Sequence, residues 1–563
     1  MTKKFLFNEF RKNVYLIVAL VVLIIGISYS TLLTPYLIRG VVDEVILGEN
    51  YVLLFRYISL MMAATLLVLG LKVIRTTVST KISNNVVAKL RTELIKKCLY
   101  AEHSEVSKLN PALIVSRITN TAGMLVDVYL INNVVGLISE SIFLVIVGIA
   151  IMRVNIYFSL GLFILMPIFY LYTSLSAKTV AKVMKDNYKV LESGKKRMHH
   201  IADKAKKIRL LSGEEKEMLE WDEWTEKYKK SQRYTRIKRE MNSVAIGDLM
   251  INFMYILIFG LGSYLIFQGE KITLGELILF ITLCPRFFSS FNVLLGIKIS
   301  SKTLTETLSF VDEIMELSTP NSGKPVLEIK RIELKNVTHM FSTDSGIQDV
   351  SFTINKGETV GVVGVSGGGK STIIDLLLGF ISPNEGELLV NGVSLRDINT
   401  LSLRKSIALV EQFPLPIKES LKETMIYPNW YEETEFKNCL KKVKLEGKLA
   451  SDQSAYTLSG GEQQRLALAS SIYRNPSLLL LDEFTSALDP LLEGDIMDFV
   501  YSLKDKLVLI VSHRIYTLMR CDKVIVIDDG KLVEAGNPNE LSLNKESHFY
   551  KLLHKSQVTK KVT

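Results

Sequence analysis

The sequence predicts a protein of two domains, an all-α bundle of six membrane-crossing helices followed by an α/β domain built on a parallel sheet. The chain has 563 residues, which is too long for one ordinary domain. Hydrophobic residues make up 48% of it and its mean hydropathy is +0.24, so lipid is expected to be part of its solvent. Beyond residue 326, short Val/Ile-rich runs alternate with helical segments, as in a sheet wrapped by helices.

Six apolar runs reach the length of about 20 residues that a helix needs to cross a bilayer. These runs are Val14–Ile38, Leu54–Val73, Asn133–Met152, Ile156–Leu175, Val244–Phe267 and Leu274–Ile297. The first run is longer than a signal-peptide core and lacks a small-residue cleavage site, so we expect it to be retained. We assign residues 1–317 to the membrane domain, the Pro- and Gly-containing stretch 318–325 to a linker, and residues 326–563 to the α/β domain.

The basic residues behind the net charge of +10 are concentrated in particular loops. Long links after spans two and four contain segments such as KLRTELIKK and KKSQRYTRIKRE, whereas the other links are short and carry few basic residues. Because positive loops stay in the cytoplasm, we predict a multi-pass protein of the cell membrane with both termini and the α/β domain cytoplasmic. These loops account for the charge, so no nucleic-acid partner is expected. The four cysteines form no CxxC pair, which argues against a zinc site or a disulfide framework.

A glycine-rich loop carries the first chemical signal. The strand ETVGVVG leads into GVSGGGKST, which satisfies G-x-x-x-x-G-K-[ST] in the strand–loop–helix context that this motif requires. Its amides and the following helix N-terminus suit the phosphates of ATP, which small residues allow to approach closely. The predicted phosphate-binding residues are Gly364, Ser366, Gly367, Gly368, Gly369, Lys370, Ser371 and Thr372. Lys370 should reach the β and γ phosphates, and the Ser371 hydroxyl should be a ligand of Mg²⁺.

An acidic pair follows a second buried run, SLLLLDE, at Asp482 and Glu483. Open α/β sheets bind their ligands at the carboxyl ends of the strands, where this pair is expected to lie. We predict that Asp482 belongs to the Mg²⁺ shell and that Glu483 is the catalytic residue that polarises the attacking water.

A third motif gives the chain a family resemblance. The segment LSGGEQQR at residues 458–465, followed by LLLLDE and by SALD at residues 486–489, resembles the signature, Walker B and D-loop series of ATP-binding cassette (ABC) proteins. With six preceding spans, nearly the whole chain resembles an exporter-type half-transporter. The resemblance implies ATP-driven export of an amphipathic or hydrophobic substrate, a class that includes peptides, by alternating access.

The resemblance also implies roles for single residues. Gln412 in ALVEQFP matches the Q-loop that contacts magnesium, and His513 in LIVSHR matches the switch histidine that contacts the γ-phosphate beside the catalytic glutamate. Phe341 stands where the family places an aromatic ring against adenine, although Tyr is the usual residue. The nucleotide-binding residues taken from the signature and the D-loop are Ser459, Gly460, Gly461 and Asp489.

A partner is implied by the signature residues. In this family they contact nucleotide held by a second cassette, so the chain is expected to pair with a copy of itself or with a related half-transporter. Residues 101–111 and 206–217 lie where the family has short coupling helices that contact the cassettes. One departure is the short stretch between residues 412 and 458, which lacks the Gly-Glu loop usual before the signature.

The substrate and direction of transport stay open at this point. An exporter-fold importer of a metal chelate is one alternative, and an ATP-hydrolysing peptide sensor that signals to a membrane kinase is another. Three ionisable residues lie within the spans, Glu140, Asp248 and Arg286. They are expected either to line one substrate cavity or to pair with one another. Arg286, which follows Pro285, is the candidate for contact with an anionic group on the transported molecule.

Overall fold

The computed structural model describes residues 1–154, 156–243, 245–268, 273–319, 323–342, 345–365, 367–448 and 454–560. These residues divide into two compact units, which are described separately here. The first contains residues Met1–Tyr100 and Val106–Leu317, and the second contains Ala101–Glu105 and Ser318–Thr563. The short segment 101–105 therefore packs with the α/β part of the chain.

In the described residues of the first unit, all regular secondary structure is helical. Its helices, with the short helix that leads out of segment 101–105, are α1 (Thr2–Arg11), α2 (Val14–Gly40), α3 (Leu54–Tyr100), α4 (His103–Val106), α5 (Pro111–Ser116), α6 (Ala122–Val126), α7 (Gly136–Val154), α8 (Ile156–Leu210), α9 (Glu214–Ser243), α10 (Ala245–Phe267) and α11 (Leu274–Met315). Wider π-helical turns at Val41–Ile46, Arg117–Thr121 and Asp127–Val135 continue the neighbouring α-helices. The helix α3 alone has 47 residues, about 70 Å at 1.5 Å per residue and more than twice the hydrocarbon thickness of a bilayer.

Four helical stretches among the described residues are long and apolar enough to cross a membrane. They are Val14–Ile46, Tyr51–Tyr100, Leu113–Val154 and Leu274–Leu294, and Ile251–Tyr264 is a shorter apolar helix. They contain or overlap the predicted spans one, two, three and six. Predicted spans four and five fall within α8 and α10, where many side chains lie outside the described part of the structure.

A polar cluster joins the end of α2 to the start of α11. Thr273 caps α11 in a capping box with Glu276, and the Thr273 hydroxyl also donates to the Asp43 carboxylate at 2.9 Å. Arg39 Nη2 lies 2.9 Å from Glu276 Oε1. The backbone N–H of Gly275 donates to Asp43 at 3.0 Å, an approach that a β-carbon at Gly275 would block. These contacts fix the two helix ends to each other.

The second unit contains two sheets. Its strands are β1 (Arg331–Ser342), β2 (Ser345–Asn355), β3 (Thr359–Gly364), β4 (Glu385–Val390), β5 (Val393–Ser394), β6 (Ile407–Val410), β7 (Leu478–Asp482), β8 (Leu507–Val511), β9 (Lys523–Asp528) and β10 (Lys531–Gly536). A four-stranded antiparallel sheet has the order β2-β1-β4-β5, and a six-stranded sheet has the order β10-β9-β3-β8-β7-β6. The larger sheet is parallel except where β10 pairs with β9.

Helices cover the larger sheet on both faces. They are α12 (Lys370–Leu377), α13 (Thr400–Lys405), α14 (Leu421–Ile426), α15 (Glu433–Lys442), α16 (Gly460–Tyr473), α17 (Pro490–Tyr501), α18 (Ile515–Leu518), α19 (Pro538–Leu543) and α20 (His548–Lys560). In β7, Leu478 and Leu480 pack into one hydrophobic core while Leu479 and Leu481 pack into the other. This alternation explains why a central parallel strand is apolar without interruption, and it leaves Asp482 as the first polar residue at the strand's carboxyl end.

Candidate nucleotide site

The glycine-rich loop connects the central strand β3 to α12. Gly367 and Gly369 have φ angles of +82° and +99°, a conformation that L side chains rarely adopt. At Gly364 a β-carbon would lie 2.1 Å from the Ile527 carbonyl oxygen of the neighbouring strand. The spacing of glycines therefore reflects both backbone conformation and contact with β9. Ser366, a predicted member of this loop, lies outside the described residues.

Lys370 begins α12 and turns back over the loop. Its Nζ donates to the carbonyls of Gly364 at 2.9 Å and Val365 at 3.0 Å. Burial lowers the pKa of Lys370, while the negative charges of Glu483 and Asp482 act in the opposite direction. A desolvated cation favours the binding of an anion, and two carboxylates beside it favour a metal cation that accompanies the anion.

The residues after Lys370 differ in exposure. The Ser371 side chain is exposed and Thr372 is buried. Ser371 is therefore the hydroxyl of this pair that is accessible to a ligand.

The acidic pair lies two strands away, at the carboxyl end of β7. Asp482 is half-buried, and its pKa is raised by burial first and by the charge of Glu483 second, with Lys370 opposing both. Glu483 is held at a φ of +47°, which is uncommon for a residue with a side chain, and its N–H donates to Val511 of β8 at 2.9 Å. Backbone strain of this kind is concentrated at functional sites.

Gln412 and His513 meet at one oxygen of Glu483. Gln412 Nε2 donates to Glu483 Oε2 at 2.8 Å, and His513 Nε2 lies 2.5 Å from the same oxygen. The sequence placed these three residues 71 and 30 positions apart, and the sheet brings them together. The side-chain Oε1 of Gln412 is separate from the Nε2 that donates to Glu483. Ser371, Gln412 and Asp482 therefore offer hydroxyl, amide and carboxylate oxygens, the kinds of ligand that Mg²⁺ prefers.

A buried glutamine ties this cluster to the neighbouring segments. Gln464 of α16 is 2% exposed, and its Nε2 donates to the Gln412 carbonyl at 2.8 Å and to Ser486 Oγ at 2.9 Å. Its Oε1 accepts from the Ala487 N–H at 3.1 Å. No sequence motif predicts a special role for Gln464, because nothing in the string EQQR distinguishes it from the glutamine before it.

Comparison with known proteins agrees with this arrangement in both units. A sequence model described as "ABC transporter transmembrane region" matches residues 16–291, and one described as "ABC transporter" matches residues 347–486. The chain belongs to the ABC transporter family. In this family the cassette binds and hydrolyses ATP to drive the membrane domain, which makes the second unit an ATP-binding cassette and the first a membrane domain.

Individual relatives of the transporter differ in how much of it they match. A putative multidrug export ATP-binding/permease protein of Bacillus subtilis is 25% identical over 544 residues, with 92% of each chain covered. A β-(1→2)glucan export ATP-binding/permease protein of Bartonella bacilliformis is 32% identical over 317 residues, and the match spans only 53% of each chain. A solved bacterial Atm1-family ABC exporter with ATP bound has a TM-score of 0.86 at 20% identity, with 96% of this chain and 98% of that chain covered. This last likeness shows the fold.

The signature residues of the cassette contact the D-loop of the same chain. Ser459 caps α16 in a capping box with Glu462. A β-carbon on Gly461 would lie 2.8 Å from the Ala487 carbonyl oxygen, whereas one on Gly460 would meet only the Ala487 side chain at 3.6 Å. Asp489 caps α17 by accepting from the Leu492 N–H at 3.0 Å.

Phe341 lies in β1, on the antiparallel sheet of the cassette. Its ring is 58% exposed and meets the His339 ring edge-on at a centroid distance of 4.8 Å. An exposed ring braced by a second ring suits stacking against a flat ligand.

Proposed function

We propose that this chain is one half of an ATP-driven efflux transporter of the bacterial cell membrane. The observation that carries the proposal is the convergence of Gln412 and His513 on one oxygen of Glu483, next to Asp482 and Lys370, in a chain that also has a membrane unit. The relatives that match most of the chain's length are export proteins by name. The proposed cargo is amphipathic or hydrophobic, a class that includes peptides.

The proposed roles follow the contacts. Lys370 neutralises the β and γ phosphates. Asp482, Ser371 and Gln412 would hold Mg²⁺, which would supply further charge neutralisation of the phosphates. Glu483 orients the attacking water and accepts its proton, and His513 contacts the γ-phosphate. Bound phosphates with their metal would offset the burial that raises the pKa of Asp482 and lowers that of Lys370.

The active unit is proposed to be a dimer with a second copy or a related half-transporter. Ser459, Gly460 and Gly461 then complete the nucleotide pocket of the partner cassette, and Phe341 stacks on adenine within its own. Both termini and the cassettes are proposed to lie in the cytoplasm, because the basic links after spans two and four are retained there.

Segment 101–105 is the proposed route of mechanical coupling. Within the second unit the His103 ring lies 4.4 Å from the ring of Phe380, which is in the segment that follows α12. Burial raises the pKa of Asp375 in α12, while His103 and His339 lower it. A change at the phosphate-binding end of α12 can therefore reach a segment that is continuous in sequence with α3.

The test of the proposal is the Glu483→Gln substitution in the purified full-length chain. We expect ATP binding to be retained and hydrolysis to fall at least about 100-fold, because an amide cannot accept the proton of the attacking water. Asp528→Asn is the matched control, since Asp528 is an exposed carboxylate at the end of the neighbouring strand β9. Hydrolysis by Glu483→Gln within a few-fold of wild type would contradict the proposal.

The composite site has its own test. Ser459→Arg should abolish the tightening of a Glu483→Gln dimer by Mg-ATP without unfolding the cassette. A chain that stays monomeric at full ATPase rate would refute the dimeric site. Activity recovered only on adding another half-transporter would identify a heterodimer.

A further inference from the structure

A cavity in the membrane unit has an unusual balance of charge. It has a volume of about 420 Å³ and is lined by residues of α2, α3, α7 and α11. Two cations, Lys72 and Arg286, lie in the lining, and the described lining residues include no carboxylate. Neither cation forms an ion pair with a described residue. A charge within the membrane is costly, so two cations without a carboxylate in one cavity call for an anion from outside the chain.

A second cavity in the same unit shows the opposite arrangement. It has a volume of about 820 Å³ and is lined by Arg75 together with the carboxylates Asp127 and Glu140. Arg75 lies 3.5 Å from Ser139, and Asp127 accepts from Ser83 at 2.8 Å. Charges of both signs are present there within the chain. Glu140 lies at this second cavity, whereas Arg286 lies at the first.

The position of Arg286 suits contact with a solute rather than with the aqueous boundary. It lies twelve residues into α11, about 18 Å along the helix axis and near the middle of a hydrocarbon layer of about 30 Å. Its guanidinium lies 5.9 Å from the centre of the Phe143 ring, which also lines the cavity. This distance is within cation–π range, and a guanidinium carries paired N–H donors that match a carboxylate or a phosphate.

One helix proline lies in the lining of this cavity and a second lies next to a lining residue. Pro35 of α2 is in the lining and Pro285 precedes Arg286 in α11. Each removes one backbone hydrogen bond and so frees a carbonyl, which a membrane helix tolerates where protein, water or a ligand replaces the lost donor. A freed carbonyl is an acceptor, so these positions suit a water molecule or a donor on a ligand and not its anionic group.

Three of the four threonines in the lining donate within their own helices. The hydroxyls of Thr31, Thr65 and Thr282 donate to carbonyls at 2.6–3.0 Å. Lys72, Arg286 and the hydroxyl of Thr34 are therefore the side-chain donors of the lining that can be directed to a ligand. Apolar neighbours, among them Leu32, Val68 and Leu69, complete the surface.

We propose that this cavity binds the anionic head group of an amphiphile, a carboxylate or a phosphate, between Arg286 and Lys72, with the apolar lining around its hydrocarbon part. The inference names the substrate class of the export proposed above and rests on that proposal. Lys72 was not among the candidates from sequence, because a single lysine near the end of an apolar run is usually a residue that extends to the interface.

The test uses the full-length transporter in phosphatidylcholine vesicles, with 11-(dansylamino)undecanoate as the anionic probe and its methyl ester as the neutral one. Probe fluorescence gives the dissociation constants, and ATP turnover gives the stimulation. We expect the anion to bind at least about tenfold more tightly than the ester. Arg286→Gln and Lys72→Gln should each weaken anion binding about tenfold and leave ester binding unchanged. Lys81→Gln is the matched control, an exposed cation of α3 outside this cavity.

Charge reversal separates recognition from packing. Arg286→Glu should lose the preference for the anion and bind a trimethylammonium analogue of the probe more tightly than wild type does. Equal wild-type affinity for anion and ester, or equal losses of both probes in the Gln variants, would overturn the inference. If the vesicles still accumulate the ester at the expense of ATP, the export function stands while the anionic site fails. If the anion binds with the predicted variant pattern but no probe is transported, the site stands and the export function fails.

A final comparison identifies the source of the head group. Replacement of part of the phosphatidylcholine by phosphatidylglycerol should weaken anion binding in wild type if membrane lipid occupies the site. Unchanged binding assigns the site to a soluble amphiphile. Both results presuppose the preference for the anion, and its absence in either lipid would refute the proposal.

Discussion

Gln464 is predicted to be important for ATP turnover, although its hydrogen bonds are to other groups of the protein. Gln464→Ala removes three hydrogen bonds, to the Gln412 carbonyl, to Ser486 and from the Ala487 N–H. At about 1 kcal/mol for each bond, with a further cost for buried groups left without a partner, the local arrangement should lose about 3 kcal/mol. The backbone carbonyl of Gln412 then loses its donor from Gln464, so the contact of the Gln412 side chain with Glu483 should loosen.

The assay combines ATP turnover with hydrogen exchange in the full-length chain. Gln464→Ala should lower turnover at least about tenfold and raise exchange in residues 483–489 and 458–465. Gln464→Glu keeps the shape but places an oxygen against the Gln412 carbonyl, so it should be at least as damaging. Gln463→Ala is the control, because Gln463 is only half-buried in the same helix turn. Turnover within twofold of wild type in Gln464→Ala would show that the bonds are dispensable.

Three further predictions concern stability. Gly461→Ala should lower the melting temperature of the nucleotide-free chain by several degrees, because its β-carbon would lie 2.8 Å from a D-loop carbonyl. Gly460→Ala, with its nearest neighbour at 3.6 Å, should melt within a degree or two of wild type, and equal melting of both variants would contradict the geometry. Arg39→Gln should cost about 1 kcal/mol at low salt and less at 1 M salt, since the pair with Glu276 is partly exposed; a loss independent of salt would rule out the ionic explanation. The pKa of Glu9 is lowered by its hydrogen bond to Lys12, with burial opposing, so its contribution is present above the unfolded pKa and is lost as the pH falls through the folded pKa. Glu9→Gln should flatten the acid side of the melting-temperature profile, and an unchanged profile would exclude this carboxylate as its source.

The motifs of the candidate nucleotide site can be recognised in the sequence because they are encoded locally. The phosphate loop needs glycines at fixed spacing next to a strand, and Asp482 and Glu483 follow an apolar run that can only be a buried strand. The capping box of Ser459 with Glu462 is also legible, since S-x-x-E is a short-range signal.

Other features depend on which helices pack together, and no local pattern reveals them. Lys72 and Arg286 lie more than 200 positions apart, and only the packing of α3 against the other helices places both in one cavity. Glu140 illustrates the same limit, because its position within a span does not show which cavity the helix packing places it in. Gln464 was missed because its importance comes from three partners in two other segments.

The length of α3 has a mechanical consequence. A continuous helix of 47 residues acts as a lever of about 70 Å, and a tilt of about 5° at one end displaces the other end by about 6 Å. That displacement exceeds the rise of one helical turn. It is enough to move a side chain from one packing position to the next along a neighbouring helix. A rotation too small to break the packing near a pivot can therefore change the contacts at the far end. The stiffness of the helix determines how much of the rotation reaches that end. A glycine pair inserted near the middle of α3 should make the helix flexible there, so that a tilt of one end displaces the other end less.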